Sequence, residues 1–198
     1  MIGGGESGFS LPEAALALAV MGIFASISFP ALTAALSRSR VAAAARTLAS
    51  ELSRLRSEAI TSRRRVAMRL IRDGESFSYA FFSDGDGDGV RAADIETGMD
   101  PLLAGPRDLA SRFGGVDFGL LDVAIPEIPP RRGAILPGDD PVRFGRSDII
   151  SFTPLGTASS GTLFVSDERG TVMAVVVYGG TGRIRTWRFD RHAWRWTR

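Results

Sequence analysis

The sequence contains no cysteine and no lysine, and its single histidine is His192. Without cysteine the chain cannot form a disulfide scaffold, a thiolate zinc site or a cysteine nucleophile. One histidine cannot supply a histidine metal cluster, and no pair of nucleophile and base is evident, so an enzyme is not expected. The 24 basic residues are all arginine and face 22 acidic residues, which gives a formal net charge of +2. A length of 198 residues suits one globular domain with an appended element.

A long stretch without charge occupies residues 14–36, AALALAVMGIFASISFPALTAAL. As a helix it would be about 35 Å long, enough to cross a hydrocarbon core of about 30 Å. A cleaved signal peptide would carry a basic n-region, whereas Glu6 is the only charged residue before the cleavage motif described below. A buried core helix seldom has so long a charge-free run. The pattern therefore predicts a membrane-spanning helix over residues 9–36.

The residues that lead into this stretch resemble the cleavage site of type IV pilins and pseudopilins. They read Gly8-Phe9-Ser10-Leu11-Pro12-Glu13. The resemblance implies that residues 1–8 form a leader, that a prepilin peptidase cuts between Gly8 and Phe9, and that it methylates the new N-terminus. It also implies a role for Glu13 in assembly. A carboxylate in a membrane is costly unless it finds a partner, and the free amine of Phe9 on a neighbouring subunit would be one.

The arginines around the apolar stretch conflict with the orientation that this resemblance implies. The leader has no basic residue, whereas Arg38 and Arg40 follow the stretch. The positive-inside tendency alone would place the C-terminal side in the cytoplasm. The resemblance implies the opposite: a single pass through the inner membrane with the globular domain in the periplasm. Residues upstream of Met1 would reconcile the two orientations.

Beyond the apolar stretch, periodicity predicts an amphipathic helix over residues 37–64 and then β-structure. The apolar stripe of the helix is Val41, Leu48, Leu52, Leu55 and Ala59. Alternation and turn residues then predict strands at 66–72, 76–82, 148–153, 161–166, 172–178 and 183–189. The last three should form a meander, while 99–147 is rich in Pro and Gly and is not assigned. The predicted fold class is α+β, with the long helix packed on an antiparallel sheet and a β-rich domain over residues 65–198.

Two further segments resemble the GspH/FimT-type minor pseudopilins. They are SEAITSRRRVAMRL, residues 57–70, and ISFTPLGTASSGTLFVSDERGTVMAVVVYGGTGRIRTWRF, residues 150–189. The resemblance implies a pilin-like structural subunit of a type II secretion pseudopilus. Its partners would be other pseudopilins, the prepilin peptidase, the inner-membrane assembly platform and the lipid bilayer. A FimT-like minor pilin that binds DNA during uptake is the alternative, and the sequence leaves both open.

An acidic loop has the spacing of a partial calcium site. Asp84, Asp86 and Asp88 occupy positions 1, 3 and 5, and Gly89 occupies position 6. This spacing curls three oxygen donors around one point, as in calcium-binding loops. Position 12 is Ile95, so the motif is incomplete. A weak Ca²⁺ site and a flexible acidic hairpin loop are both compatible with the sequence.

The C-terminal tail alternates arginine with tryptophan. If residues 183–189 form a strand, Arg183, Arg185 and Trp187 project from one face. Arginine beside an aromatic ring is typical of proteins that contact nucleic-acid backbones and stack bases. The alternative is an edge strand whose tryptophans pack inside while its arginines face solvent. DNA binding at these three residues is therefore a hypothesis with a purely structural rival.

Overall fold

The computed structural model describes residues 10–74, 76–167 and 170–198, apart from the side chains of residues 25, 27, 28 and 30. The predicted leader, with the cleavage residues Gly8 and Phe9, lies outside the described residues. In chain order the elements are α1 (Leu11–Ser62), β1 (Val66–Asp73), β2 (Ser76–Ser83), α2 (Ala92–Thr97), β3 (Leu102–Asp108), α3 (Leu109–Phe113), β4 (Asp117–Phe118), β5 (Ile125–Pro126), β6 (Ala134–Ile135), β7 (Val142–Arg143), β8 (Ile149–Phe152), β9 (Gly161–Ser166), β10 (Val172–Tyr178), β11 (Arg183–Asp190) and β12 (Arg195–Thr197).

The chain divides into two compact units, residues 1–38 and 39–198, and α1 contributes to both. In the described part of the first unit the large apolar side chains are exposed, among them Leu16, Leu18, Phe24 and Phe29. Over the residues that the structure describes, no helix combines the length and the apolar character needed to cross a membrane. The span predicted for residues 9–36 stays a prediction.

The second unit contains two antiparallel sheets and a small hairpin. The first sheet has the strand order β3-β2-β1-β8, and β1 pairs with β2 along its whole length, from Val66 opposite Ser83 to Asp73 opposite Ser76. The second sheet has the order β12-β11-β10-β9-β4, with β7 also paired to β9. β5 and β6 pair only with each other. The meander predicted for the last three strands is confirmed in β9, β10 and β11.

The main core lies between the second half of α1 and the two sheets. The predicted apolar stripe is confirmed, because every member is completely buried: Val41, Leu48, Leu52, Leu55 and Ala59. These residues share one cluster with side chains from strands of both sheets, such as Met68, Phe152 and Val175. The helix thus holds the two sheets together, which confirms the predicted α+β class. α1 ends at Ser62, two residues before the predicted boundary, where Arg63 adopts a positive φ of 55°.

The outer face of the second sheet carries a second core. Along β10, Met173, Val175 and Val177 belong to the main core, whereas Val172 and Ala174 belong to the second one. The segment that the sequence left unassigned supplies much of the cover, through Leu121, Ile125, Ile128 and Ile135. Strand β12 closes the cover, where the Trp196 Nε1–H donates to the Pro126 carbonyl at 2.7 Å. The sheet is therefore covered on both faces.

Candidate functional site

Of the residues predicted to act in processing and assembly, only Glu13 is described. Its Oε2 accepts hydrogen bonds from the Ser10 backbone N–H at 2.9 Å and from the Ser10 hydroxyl at 2.7 Å. Ser10 directly precedes α1, so Glu13 occupies the third helical position of a Ser-x-x-Glu capping arrangement. Within one chain, the carboxylate therefore has a local partner at the helix start. The Ser-x-x-Glu spacing is visible in the sequence and predicts this contact.

The three aspartates of the acidic loop converge. One carboxylate oxygen from each of Asp84, Asp86 and Asp88 lies within 4.8 Å of the others. Asp84 is buried, and its two oxygens accept from the backbone N–H groups of Gly87 at 2.7 Å and Gly89 at 3.0 Å. Three converging carboxylate oxygens are donors of the type that Ca²⁺ takes. The calcium site stays a prediction.

Charged groups outside the predicted triad also organise this loop. Asp100, almost fully buried, accepts from the Gly85 N–H at 3.0 Å and from the Arg91 N–H at 2.9 Å. The Arg91 side chain is ion-paired with Asp88. Sequence spacing around position 12 did not identify Asp100, because it lies 16 positions after Asp84 by numbering and meets the loop only through the fold. Two buried carboxylates therefore give the loop a fixed conformation.

The two exposed aspartates of the triad differ in acidity. The Asp88 backbone N–H donates to Asp86 at 3.2 Å and holds the pKa of the Asp86 carboxyl below its ordinary value. Partial desolvation raises the pKa of Asp88, and the neighbouring Asp86 charge adds to this while Arg91 opposes it. A cation at this point would favour both ionised forms.

The arginine–tryptophan strand does not present its aromatic ring as predicted. Trp187 is only 6% exposed, and it packs in the second core. The guanidinium carbon of Arg198 lies 4.8 Å from the centroid of its ring. Stacking of a base on Trp187 stays a prediction, and the burial of this ring in the second core does not favour it. β12 pairs with β11 only from Arg188 to Asp190, so Arg183 and Arg185 lie on a part of β11 that β12 does not cover.

The two arginines of the same hypothesis remain accessible to different degrees. Arg183 is exposed and Arg185 is half-buried at the uncovered end of β11. Without the aromatic partner they can contact phosphates through charge and guanidinium hydrogen bonds but cannot stack a base. DNA binding at Arg183 and Arg185 stays a prediction that the fold does not strengthen.

An ionic cluster around the buried Glu51 of α1 was not predicted from the sequence. Glu51 is only 8% exposed, and its Oε1 lies 2.6 Å from Arg107 Nη1 and 3.7 Å from Arg112 Nη1. Its Oε2 and the hydroxyl of nearby Tyr79 are both buried and lie outside hydrogen-bonding geometry among the described residues. Burial, and then the Glu51 charge, raise the pKa of the Tyr79 phenol. Glu51 is a charged residue outside the predicted apolar stripe of the helix, so helical periodicity placed it on a solvent-facing side.

This cluster predicts a loss of stability in alkali that depends on Tyr79. The pKa of this phenol is higher in the folded chain than in the unfolded chain, where it is about 10. The free energy of unfolding therefore keeps its full value below pH 10 and falls as the pH rises above 10, by at most about 1.4 kcal/mol per pH unit. Tyr79→Phe should remove this dependence and change stability little at pH 7. Tyr178→Phe, at the more exposed of the two tyrosines, is the control. Chemical unfolding at several pH values measures it, and an unchanged alkaline slope in Tyr79→Phe would contradict it.

The F-x-P-x-G-x-A-S-S-G-T segment and the later G-R-I-R segment meet at one side chain of α1. Arg56 Nε donates to the Gly156 carbonyl at 3.0 Å, and a Cβ at Gly182 would lie 2.8 Å from the same Nε. The Gly156 N–H donates to the Thr153 carbonyl at 2.9 Å and closes the turn at Gly156. The Ala158 N–H donates to the Gly179 carbonyl at 2.8 Å and joins the two motif segments. These motif residues therefore serve the junction between α1 and the two sheets rather than a reactive centre.

Comparison with known proteins identifies a family. The model of the family described as "Type II transport protein GspH" matches residues 44–182, well over half of the chain. No curated protein and no solved structure matches. The matched range begins within the buried stripe of α1 and ends at Gly182, so it contains the first sheet, strands β4, β7, β9 and β10 of the second sheet, and the junction held by Arg56, but not β11 and β12.

Proposed function

This chain belongs to the family of the type II transport protein GspH, and we propose that it is a minor pseudopilin, a structural subunit of a type II secretion pseudopilus. The family is one of structural pseudopilins, which gives the chain a pseudopilin-like role in secretion. We further propose that a prepilin peptidase removes residues 1–8 and methylates Phe9. The N-terminal part of α1 would then anchor the chain in the inner membrane, with the domain in the periplasm.

The exposed apolar half of α1 carries this proposal. Large apolar side chains such as Leu16, Leu18, Phe24 and Leu32 are 59–69% exposed, although they belong to the same helix whose second half has a completely buried apolar stripe. Exposed apolar patches larger than a few hundred Å² are uncommon in soluble proteins and mark contacts with lipid or protein. In a pseudopilus such a helix would be covered by the bilayer before assembly and by neighbouring helices afterwards.

Processing can be tested with the full chain and an active prepilin peptidase. We expect the wild-type product to begin at methylated Phe9, and we expect Gly8→Ala to remain uncut. Intact mass of the membrane fraction distinguishes the two products. The matched control is Glu6→Gln, which alters the charge of the leader but gives the same mature chain. A full-length wild-type chain, or one cut after an alanine within 14–36, would refute the proposal.

Two substitutions at Glu13 separate its local contact from its role in assembly. Glu13→Gln can still accept from Ser10 but carries no charge, whereas Glu13→Ala loses both. If the carboxylate pairs with the amine of Phe9 on a neighbouring subunit, we expect both variants to be cleaved and both to assemble poorly. Cross-linking of assembled subunits in membranes measures this. Normal assembly of Glu13→Gln would show that helix capping is the only function of the side chain.

A further inference from the structure

A groove beside α1 is lined by two arginines that the pseudopilin role does not use. It has a volume of about 330 Å³, and its lining residues are Ser39, Arg40, Ala43, Arg112, Phe113 and Gly114. A cavity of this size is at the lower end of the range for small-molecule sites. None of these lining residues is acidic, so the groove attracts negative charge.

Both guanidinium groups keep donors available for a ligand. Arg40 Nη1 donates a 3.4 Å hydrogen bond to the Gly114 carbonyl. Arg112 approaches Glu51 only at 3.7 Å, because Arg107 holds the same Glu51 oxygen at 2.6 Å. Their side chains are also accessible, that of Arg112 at 55%. The groove therefore has a local excess of positive charge, because the nearby carboxylate is already paired with a third arginine. The serine hydroxyl adds an uncharged hydrogen-bond donor.

The position of the groove along the chain indicates the source of its ligand. Arg40 follows the last residue of the charge-free stretch, Leu36, by four positions on the same helix. A helix rises ~1.5 Å per residue, so Arg40 lies about 6 Å beyond that residue. The polar layer on each side of a hydrocarbon core is about 5–8 Å thick. If residues 14–36 cross the bilayer, Arg40 lies at the level of the lipid headgroups.

We propose that Arg40 and Arg112, together with the Ser39 hydroxyl, bind the phosphate of an anionic phospholipid headgroup. Arginine suits this ligand because its fork of N–H groups matches phosphate oxygens and stays charged at every relevant pH. The site would hold the domain at the membrane surface until the subunit enters the filament. This proposal rests on the membrane anchor proposed above.

The test uses the full chain in vesicles of phosphatidylcholine with or without phosphatidylglycerol. Flotation with the vesicles measures membrane anchoring. The amount of lipid that stays bound to the protein after extraction in detergent measures binding in the groove. We expect phosphatidylglycerol to be retained in excess over phosphatidylcholine, and inorganic phosphate to displace it. The double variant Arg40→Gln/Arg112→Gln should retain it roughly tenfold more weakly, as expected for the loss of charge-assisted hydrogen bonds. Ala43→Glu should have a similar effect, because its carboxylate would occupy both arginines.

The control is Arg46→Gln, an exposed arginine of α1 outside the groove. Folding of each variant is checked by thermal unfolding, and the Arg107–Glu51 pair is intact in all of them. Equal retention of both lipids, or full retention by the double variant, would overturn the headgroup site while leaving the anchor in place. Inorganic phosphate binding without lipid retention would overturn the lipid as its source. No flotation with either vesicle would overturn the anchor and this proposal together.

Discussion

Gly182→Ala should destabilise the protein by about 3–5 kcal/mol, because it combines backbone strain with the loss of a charged hydrogen bond. Gly182 has a φ of 59°, and an added Cβ would lie 2.0 Å from the Gly156 carbonyl oxygen. The oxygen belongs to the backbone, so one of the two turns has to move. Such a shift breaks the bond from Arg56 to Gly156, which joins α1 to the turn at Gly156.

Two other glycines provide matched controls for this substitution. Gly180 lies in the same turn with nothing within 4 Å of a Cβ, so Gly180→Ala should change stability little. Gly74 has a similar φ of 62° and equally open surroundings, so Gly74→Ala should show the conformational strain alone, about 1–2 kcal/mol. Chemical unfolding of the full chain in detergent measures all three. A Gly182→Ala cost equal to that of Gly74→Ala would mean that the close approach to Gly156 has no energetic consequence.

Asp84→Ala should cost about 2–4 kcal/mol, since a buried carboxylate that accepts two backbone N–H groups is removed and those groups lose their partner. Loss of the hydrogen-bond partner costs more at the Gly89 N–H than at the Gly87 N–H, because Gly89 is buried whereas Gly87 is exposed. Asp86→Asn is the matched control in the same loop, at an exposed aspartate. We expect it to change stability by less than about 0.5 kcal/mol in the presence of a chelator.

The same variants test the predicted calcium site. With a dissociation constant of about 10⁻³ M, 10 mM calcium would stabilise the wild-type chain by about 1.4 kcal/mol. Asp86→Asn and Asp88→Asn should lose that gain, whereas the cost of Asp84→Ala should remain when calcium is chelated. Unfolding with and without calcium measures both effects. A wild-type chain with equal stability in calcium and in chelator would leave Asp84 a purely structural role.

Local patterns in the sequence were sufficient to predict a helix or strand where one face of that element is buried. The stripe from Val41 to Ala59 repeats at the helical period, and its burial follows from that period alone. All six predicted strands agree with their observed ranges to within one residue at each end. The segment 99–147 could not be assigned, because its longer strand β3 contains Gly105 and Pro106 and its strands β4 to β7 have only two residues each, of which β4 and β7 pair with the distant β9.

The candidate sites also divide into those that local sequence predicts and those that only the fold brings together. The sequence by itself determined the fold class, the family resemblance that the matched model confirms, and the contiguous acidic loop, because these depend on residues close together in the chain. Only the tertiary structure decided that Glu51 is buried with Arg107 and that Trp187 lies beneath Arg198. The same holds for Arg40 and Arg112, which line one groove although 72 positions separate them in the numbering. Burial and charge at such residues depend on which distant segment covers them, and no local period encodes that.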